Sequence, residues 1–173
     1  MEHTDLMERH SLNSCLRNLF RIKMRTVIQR VSHCSLVIDG AEYSAIKNGL
    51  LILLGIETED TTDDADWLVK KIAQMRIFGD ADGKMNLDIK EINGEVMIVS
   101  QFTLHASTKK GNRPSFIKAA RPEQAIPLYE YFIQQMNTEL GKPSATGSFG
   151  ADMKITLLND GPVTIVMDTK ERE

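Results

Sequence analysis

The sequence has few of the residues and runs that would mark it as a disulfide-rich, membrane or metal-dependent protein. Cys15 and Cys34 are its only cysteines in 173 residues. Two cysteines give neither a disulfide framework nor a metal-ligand spacing, which favours a reducing, cytoplasmic location. The longest strongly apolar run, Leu50 to Ile56, is far shorter than the roughly 20 residues of a transmembrane helix. No membrane partner is therefore expected.

Signature motifs of common catalytic machinery are missing as well. No HExxH, CxxC, GxSxG or phosphate-loop pattern occurs, so we expect no metal and no cofactor. The stretch Asp80-Ala81-Asp82-Gly83 resembles the opening of a calcium loop. Its glycine comes too early and the later ligands are missing, so we predict a solvated turn instead.

The composition is that of an ordinary globular chain, with 42% hydrophobic and 26% charged residues. The length fits one domain. Residues 1–23 read differently, being polar and then loosely amphipathic. Glu2, Asp5 and Glu8 disfavour a targeting peptide, which is the alternative interpretation. We expect an atypical, disordered N-terminal extension at residues 1–23 and a single domain at residues 24–173.

Turn signals divide the first half of the domain into strands. Asp39-Gly40 predicts a tight hairpin, and Asn93-Gly94 predicts another before the strand Glu95 to Val99. A turn ending at Gly49 precedes a buried apolar run. Two further strands, Met153 to Leu158 and Val163 to Asp168, close the chain.

Two segments have helical periodicity. The first has Thr62 or Asp63 as its expected N-cap, and the second runs from about Glu123 to Leu140. Pro127 lies inside the second segment, so we expect a late start or a bend there. The apolar positions of the first helix are Ala65, Leu68, Val69, Ile72 and Met75. The pattern as a whole predicts an α/β chain of β-hairpins with two main helices.

Two short runs stand at the ends of apolar, strand-like segments, where functional sites are commonly built. The first, Ser100-Gln101-Phe102-Thr103-Leu104, offers hydroxyls and an amide beside an aromatic ring. The second, Asn159 to Thr164, contains a Gly-Pro step whose main chain can approach a ligand closely.

A hydroxyl–imidazole pair is conceivable at the first run. Thr103 and His105 would share one face of an extended strand. No third group that would orient the imidazole is identifiable, so an ordinary surface histidine is the preferred interpretation. Conventional nucleophilic machinery therefore has little support.

Together the two runs resemble the signature motifs of the D-aminoacyl-tRNA deacylases, once called D-tyrosyl-tRNA deacylases. The resemblance extends over essentially all of Met24 to Asp168. Further matching stretches lie at Gly83 to Asn86, Gly111 to Phe116 and Gly147 to Met153.

This resemblance implies a homodimer with a barrel-like core that hydrolyses the ester between a D-amino acid and the terminal adenosine of tRNA. In the family, the peptide bond before proline is cis and the Gly-Pro pair enters the partner subunit's site. Gly161 and Pro162 would then form a main-chain filter that excludes an L side chain. Glycine has no side chain to exclude, so glycine mischarged on alanine tRNA would also be removed.

The resemblance also assigns roles to the other motif. Ser100, Gln101, Phe102 and Thr103 would form the catalytic wall, with main-chain N–H groups near Phe102 stabilising the oxyanion. Phe102 would pack against the terminal adenine. Thr103 as a nucleophile is the less favoured alternative to activation of water by the 2′-hydroxyl of the tRNA.

A basic stretch and two other function classes complete the hypothesis. Thr108 to Arg121 has five cations and no acidic residue, although the net charge is −3. Lys109, Lys110 and Arg113 are the expected phosphate contacts, against the alternative of a solvated loop. The competing functions are a non-catalytic tRNA- or DNA-binding module and a general or metal-dependent hydrolase.

Overall fold

Eight strands and two long helices make up the described part of the chain, residues 24–170 of a computed structural model. The expected extension at residues 1–23 lies outside this range. A short 3₁₀ helix, Phe102–His105, follows the sixth strand. The elements are β1 Arg25–Ile38, β2 Ala41–Ile46, β3 Gly49–Gly55, α1 Thr62–Ala73, β4 Phe78–Gly79, β5 Met85–Leu87, β6 Glu95–Ser100, α2 Pro122–Leu140, β7 Ala145–Thr146 and β8 Met153–Asp168.

The long strand β1 organises the main sheet. Cys34 pairs with Ile46 and Val31 pairs with Gly49, so β2 and β3 follow one another along the same edge of β1. Strand β8 runs antiparallel along β1 as well. The hairpin predicted at Asp39-Gly40 is confirmed, with both residues at positive φ as a type I′ turn requires.

The sheet curves into a nearly closed barrel. Strand β6 joins β3 in parallel and β7 joins β6 in parallel. The far edges meet where Ser44 Oγ on β2 donates a hydrogen bond of 2.9 Å to the Thr146 carbonyl on β7. A parallel neighbour needs a long crossover connection, which α1 supplies between β3 and β6. The predicted barrel-like core with two main helices is confirmed.

Strand β3 separates two apolar layers. Leu50, Ile52 and Leu54 pack under the helices, whereas Leu51 packs inside the barrel with Met97. A strand that is buried on both faces needs apolar residues at consecutive positions, which explains the unbroken run read in the sequence. The open end of this strand is where the candidate site lies.

Both helices begin earlier than predicted. The N-cap of α1 is Thr61, whose N–H donates to Asp64 Oδ2 at 3.1 Å, so the choice of Thr62 or Asp63 was wrong by one or two residues. Helix α2 starts at Pro122 and continues through Pro127, so the late start was also wrong. Pro122 stands at the first helical position, where its missing N–H costs nothing, whereas Pro127 lies five residues further on, inside the helix. Among residues 24–170, no helix combines the length and apolarity needed to cross a bilayer.

The hairpin predicted at Asn93-Gly94 is wrong, although a turn is present there. The strand after it, β6, pairs in parallel with β3, and the strand before it, β5, pairs with β4 in a separate two-stranded sheet. The Asn-Gly pair correctly predicts a turn, which is a local feature. It does not predict that β6 pairs with β3, which is a long-range contact of the main sheet. The solvated turn predicted at Asp80 is confirmed, since its carboxylate accepts bonds from the N–H groups of Asp82 and Lys84.

Candidate active site

The first motif continues from β6 into a tight helical turn at the open end of the barrel. Gln101 N–H donates to the Leu54 carbonyl at 2.7 Å, which ties the turn to the end of β3. A Cβ placed on Gly55 would lie 3.0 Å from atoms of Gln101, Leu104 and His105. Glycine at position 55 therefore lets the turn pack directly against the main chain of β3.

A cavity of about 330 Å³ opens beside this turn. Ser100, Gln101 and Phe102 line one side, and the segment from Phe149 to Met153 lines the other. Phe102 is 56% exposed and packs edge-to-face on Phe116, with ring centroids 5.1 Å apart. An exposed aromatic ring at the mouth of a cavity offers a stacking surface to a planar ligand.

Thr103 is not part of this lining. Its hydroxyl accepts a hydrogen bond of 2.5 Å from Gln101 Nε2, and the side chain is exposed. The structure therefore brings three residues of the predicted catalytic wall to the cavity and leaves the fourth beside it.

His105 is buried and helical, so both predictions made for it are wrong. It was expected on the surface and on one face of a strand with Thr103, but it is 4% exposed and ends a 3₁₀ helix. Burial lowers the pKa of the imidazole, against the opposing effects of the Gly55 carbonyl that accepts its hydrogen bond and of Glu57. Its Nε2 atom has no hydrogen-bond partner in the described residues. A neutral imidazole turned into the core makes a poor base for the exposed Thr103 hydroxyl.

Arg25 contacts the same turn and was missed by the sequence analysis. Its Nη1 donates to the Leu104 carbonyl at 3.1 Å, and its Nε contacts Asp168 Oδ2 at 3.1 Å. These residues lie 79 and 143 positions from Arg25 in the chain, so no local pattern could have revealed the contacts.

The second motif forms a bulge in β8. Val31 pairs with Asn159 and Gln29 pairs with Thr164, so four residues of β8 stand opposite Arg30 alone. The bulge contains Gly161 and Pro162, both exposed, and the peptide bond between them is cis, as the resemblance implied. The two predicted closing strands are the halves of β8 on either side of it.

Arg30 and Asn159 hold this bulge in shape. Arg30 Nε donates to the Asp160 carbonyl at 3.1 Å, while its Nη1 donates to the Ile77 carbonyl at 2.6 Å. Asn159 Oδ1 accepts from the Val163 N–H at 3.1 Å. No local sequence pattern marks Arg30, because its partners are 130 and 47 positions away in the chain.

The two motifs do not meet within one chain. Gly161 and Pro162 line a different cleft, of about 480 Å³, together with Arg30 and Met85. The arginines that contact the two motifs, Arg25 and Arg30, are five positions apart on β1, which is about 17 Å at strand spacing. The candidate residues therefore form two separate surfaces on a single chain.

The basic residues form a loop next to the first surface. Ser107 and Ser115 exchange N–H···O bonds of 2.8 and 2.9 Å, which close the loop between them. Lys109, Lys110 and Arg113 lie on this loop and are all exposed. The loop continues directly into Phe116, which packs on Phe102 at the cavity. Within residues 24–170, no group of three or more His, Cys, Asp and Glu side chains is placed to hold a metal ion.

Comparisons with known proteins give this geometry a context. The family model described as D-Tyr-tRNA(Tyr) deacylase matches residues 27–168. A protein of Phocaeicola vulgatus named D-aminoacyl-tRNA deacylase is 61% identical over 150 residues, covering 87% of this chain and all of the relative. A protein of Flavobacterium johnsoniae with the same name is 59% identical with the same coverage.

Solved structures share the fold. One, named c-Myc DNA Unwinding Element Binding Protein, is 39% identical with a TM-score of 0.78 and covers 83% of this chain and 97% of that one. Another, described as a "probable eukaryotic D-amino acid tRNA deacylase", is 16% identical with a TM-score of 0.75 and covers 85% of this chain and all of that one. The second supports the fold alone. On the family match and the identity of its relatives, this chain belongs to the D-Tyr-tRNA(Tyr) deacylase family.

Proposed function

We propose that this protein hydrolyses the ester that links a D-amino acid to the terminal adenosine of tRNA, releasing free tRNA and the amino acid. The observation that carries the proposal is the identity of about 60% with proteins named D-aminoacyl-tRNA deacylase over their whole length. Such an enzyme would act in the cytoplasm, where tRNA is charged.

Chiral selection is assigned to the main chain at Gly161 and Pro162. The D- and L-aminoacyl esters differ only by exchange of a hydrogen and a side chain at the α-carbon. The enzyme must nevertheless accept many different side chains. A thousandfold preference corresponds to about 4 kcal/mol. A rigid wall against the α-carbon provides this by leaving no room for an L side chain. Gly161 carries no Cβ, and Arg30 and Asn159 fix the bulge in which it lies.

Completion of the site requires a second copy of the chain. Phe102 and Gly161 line different cavities, so one chain does not place the filter beside the catalytic wall. Insertion of Gly161 and Pro162 into the partner's cavity would bring the two surfaces together. The proposed active form is therefore a homodimer.

Catalysis is assigned mainly to positioning and main-chain donors. N–H groups near Phe102 would stabilise the developing oxyanion, where one donor typically contributes about 10²–10³ in rate. Phe102 would stack on the terminal adenine. The Thr103 hydroxyl is bonded to Gln101 and lies outside the cavity lining, which favours water activated by the 2′-hydroxyl of the tRNA over a threonine nucleophile.

The basic loop is assigned to the phosphates of the tRNA. Lys109, Lys110 and Arg113 are exposed on a loop that leads directly to Phe116 beside the cavity. Phosphates next to the terminal adenosine would reach these cations while Phe102 contacts the base. Glycyl-tRNA should also be a substrate, because glycine has no side chain for the filter to reject.

A second candidate function is binding of nucleic acid without turnover. It is favoured by one observation, the 39% identity with a structure named as a DNA unwinding element binding protein. On that hypothesis the basic loop and Phe102 would serve binding alone. The third alternative, a metal-dependent hydrolase, would lose its activity in EDTA.

One assay separates the three functions. Purified protein is incubated with D-tyrosyl-, L-tyrosyl- and glycyl-tRNA, with and without EDTA, and the remaining ester is measured over time. We expect cleavage of the D-tyrosyl and glycyl esters, survival of the L-tyrosyl ester, and no effect of EDTA. Binding without cleavage would support the second function, and equal cleavage of both enantiomers would refute the filter.

A further inference from the structure

The turn Phe102–His105 carries the proposed main-chain donors, and it makes few hydrogen bonds of its own. Two bonds close it internally, Leu104 N–H to the Gln101 carbonyl and Ala106 N–H to the Thr103 carbonyl. No side chain caps its N-terminus. Short 3₁₀ helices have poor hydrogen-bond geometry and leave their last carbonyls free. The position of this turn must therefore depend on its contacts with other elements.

Arg25 binds one of these free carbonyls, that of Leu104. Its guanidinium uses Nη1 for the Leu104 carbonyl and Nε for Asp168, both at 3.1 Å. A planar guanidinium that donates in two directions fixes the angle between its two partners, which an ammonium group cannot do. Asp168 is also the cross-strand neighbour of Arg25, so the tether joins the turn to the first and last strands of the barrel.

The turn also packs against Gly55, the cross-strand partner of Arg25. A Cβ added at Gly55 would lie only 3.0 Å from atoms of Gln101, Leu104 and His105, and the His105 side chain is buried. The turn is thus held between the main chain of β3 and the guanidinium of Arg25. Loss of the tether would let it move away from Gly55 while the loop that follows it stayed in place.

We propose that Arg25 is a positioning residue. By binding the Leu104 carbonyl, it holds the Phe102–His105 turn in the position that the reaction requires. Arg25 does not line the cavity beside Phe102, so it acts through the turn and not on the substrate. The inference rests on the proposed function for its catalytic consequence. Its structural part, restraint of the turn, is independent of that function.

The test compares Arg25→Met with a matched control, Arg76→Met. Arg76 is also an arginine that donates to a main-chain carbonyl, but its partner is Asn86 on β5 and not a residue of the turn. For Arg25→Met we expect kcat on D-tyrosyl-tRNA to fall about tenfold, the effect of roughly one lost hydrogen bond in the transition state. KM should stay within about twofold, because the basic loop is unchanged. Arg25→Lys keeps the positive charge but lacks the planar fork of the guanidinium, so its kcat should lie between those of Arg25→Met and the wild type.

Hydrogen exchange followed by mass spectrometry gives a readout that does not require activity. Peptides covering residues 101–106 should exchange faster in Arg25→Met and not in Arg76→Met. If Arg25→Met fails to fold, Asp168→Asn takes its place, since it keeps Arg25 but weakens the tether, and we expect a smaller fall in kcat. Unchanged kcat and unchanged exchange in a folded variant, or a rise in KM alone, would overturn the inference. Wild-type protein that leaves D-tyrosyl-tRNA intact would refute the proposed function instead, and exchange would still decide the role of Arg25.

Discussion

At the scale of the residue, Gly161 is constrained by both conformation and space. Its φ of +121° is one that side-chain-bearing residues rarely adopt. An added Cβ would lie 2.7 Å from Arg30 Nη2 and 2.9 Å from Val163 Cγ2. Arg30 has no freedom to retreat, since two of its nitrogens are bonded to carbonyls. The absence of a side chain at this position is thus a structural requirement as well as a proposed functional one.

We expect Gly161→Ala to lower kcat/KM on D-tyrosyl-tRNA by at least about tenfold, because the bulge must shift to relieve strain on the order of 1–2 kcal/mol. The ratio of D- to L-tyrosyl cleavage should fall with it. Gly141→Ala is the matched control, because Gly141 also has positive φ but nothing within 4 Å of an added Cβ. A Gly161→Ala protein with wild-type selectivity would contradict the assignment of the filter.

Thr103→Ala should keep substantial deacylase activity, within about tenfold of wild type. The hydroxyl is bonded to Gln101 and lies outside the cavity lining, and the buried His105 does not serve it as a base. Single-turnover rates on D-tyrosyl-tRNA measure this directly. Complete loss of activity in a folded variant would instead support Thr103 as the nucleophile.

Asp60 should make the stability of the protein depend on pH. Burial raises the pKa of its carboxyl to about 7, despite the hydrogen bond it accepts from the Glu57 N–H, and the unfolded chain has the ordinary value. A folded pKa above the unfolded one stabilises the protein at low pH, and this contribution is lost as pH rises through 7. Between pH 5 and pH 8, wild type should lose roughly 2 kcal/mol of unfolding free energy relative to Asp60→Asn. Urea unfolding at the two pH values tests this, and parallel pH profiles would refute it.

At the scale of the element, the loop closed by Ser107 and Ser115 presents its cations away from the sheet. Its residues make no regular structure, so charge reversal there should leave the fold intact. The same loop ends at Phe116, which packs on Phe102. This arrangement joins the proposed phosphate-binding surface to Phe102, the proposed base-stacking ring.

The double variant Lys109→Glu/Lys110→Glu should raise KM for D-tyrosyl-tRNA several-fold and leave kcat nearly unchanged. Two lost phosphate contacts should reduce the slope of log affinity against log salt by about 1–2. Lys70→Glu/Lys71→Glu on the exposed side of α1 reverses the same number of charges at a distance from the loop. Equal effects of the two double variants would mean that the loop contributes only net charge.

The elements also show why the sequence predicted some features and not others. The hairpin at Asp39-Gly40 and both helices follow from short-range turn chemistry and periodicity, so they were found to within one or two residues. The parallel partner of β6 depends on a crossover connection, and the burial of His105 depends on Gly55, fifty residues earlier. Contacts of that kind leave no local pattern. Family motifs located the two surfaces, but not the arginines of β1 that support them.

At the scale of the whole molecule, the separate cavities of Phe102 and Gly161 predict that two defective copies can repair each other. Gly161→Ala retains an intact cavity, and Phe102→Ala retains an intact bulge. A mixed dimer would contain one site built from both intact halves. Random pairing makes about half of the dimers mixed, with one of two sites complete, so about a quarter of wild-type activity should return.

The measurement is the rate of D-tyrosyl-tRNA hydrolysis by each variant alone and after the two are co-expressed. Light scattering over a dilution series tests whether the protein is a dimer and whether the dimer dissociates. If the filter served the cavity of its own chain, co-expression would yield no more than the average of the two variants.

Strand β1 spaces the two halves of the site. Arg25 reaches the turn and Arg30 reaches the bulge, and an odd number of residues along a strand places their side chains on opposite faces of the sheet. Inserting or deleting a single residue between them would lengthen or shorten their spacing by about 3.3 Å and turn one arginine to the other face of the sheet. Families descended from this scaffold should therefore exchange side chains along this stretch far more freely than they change its length.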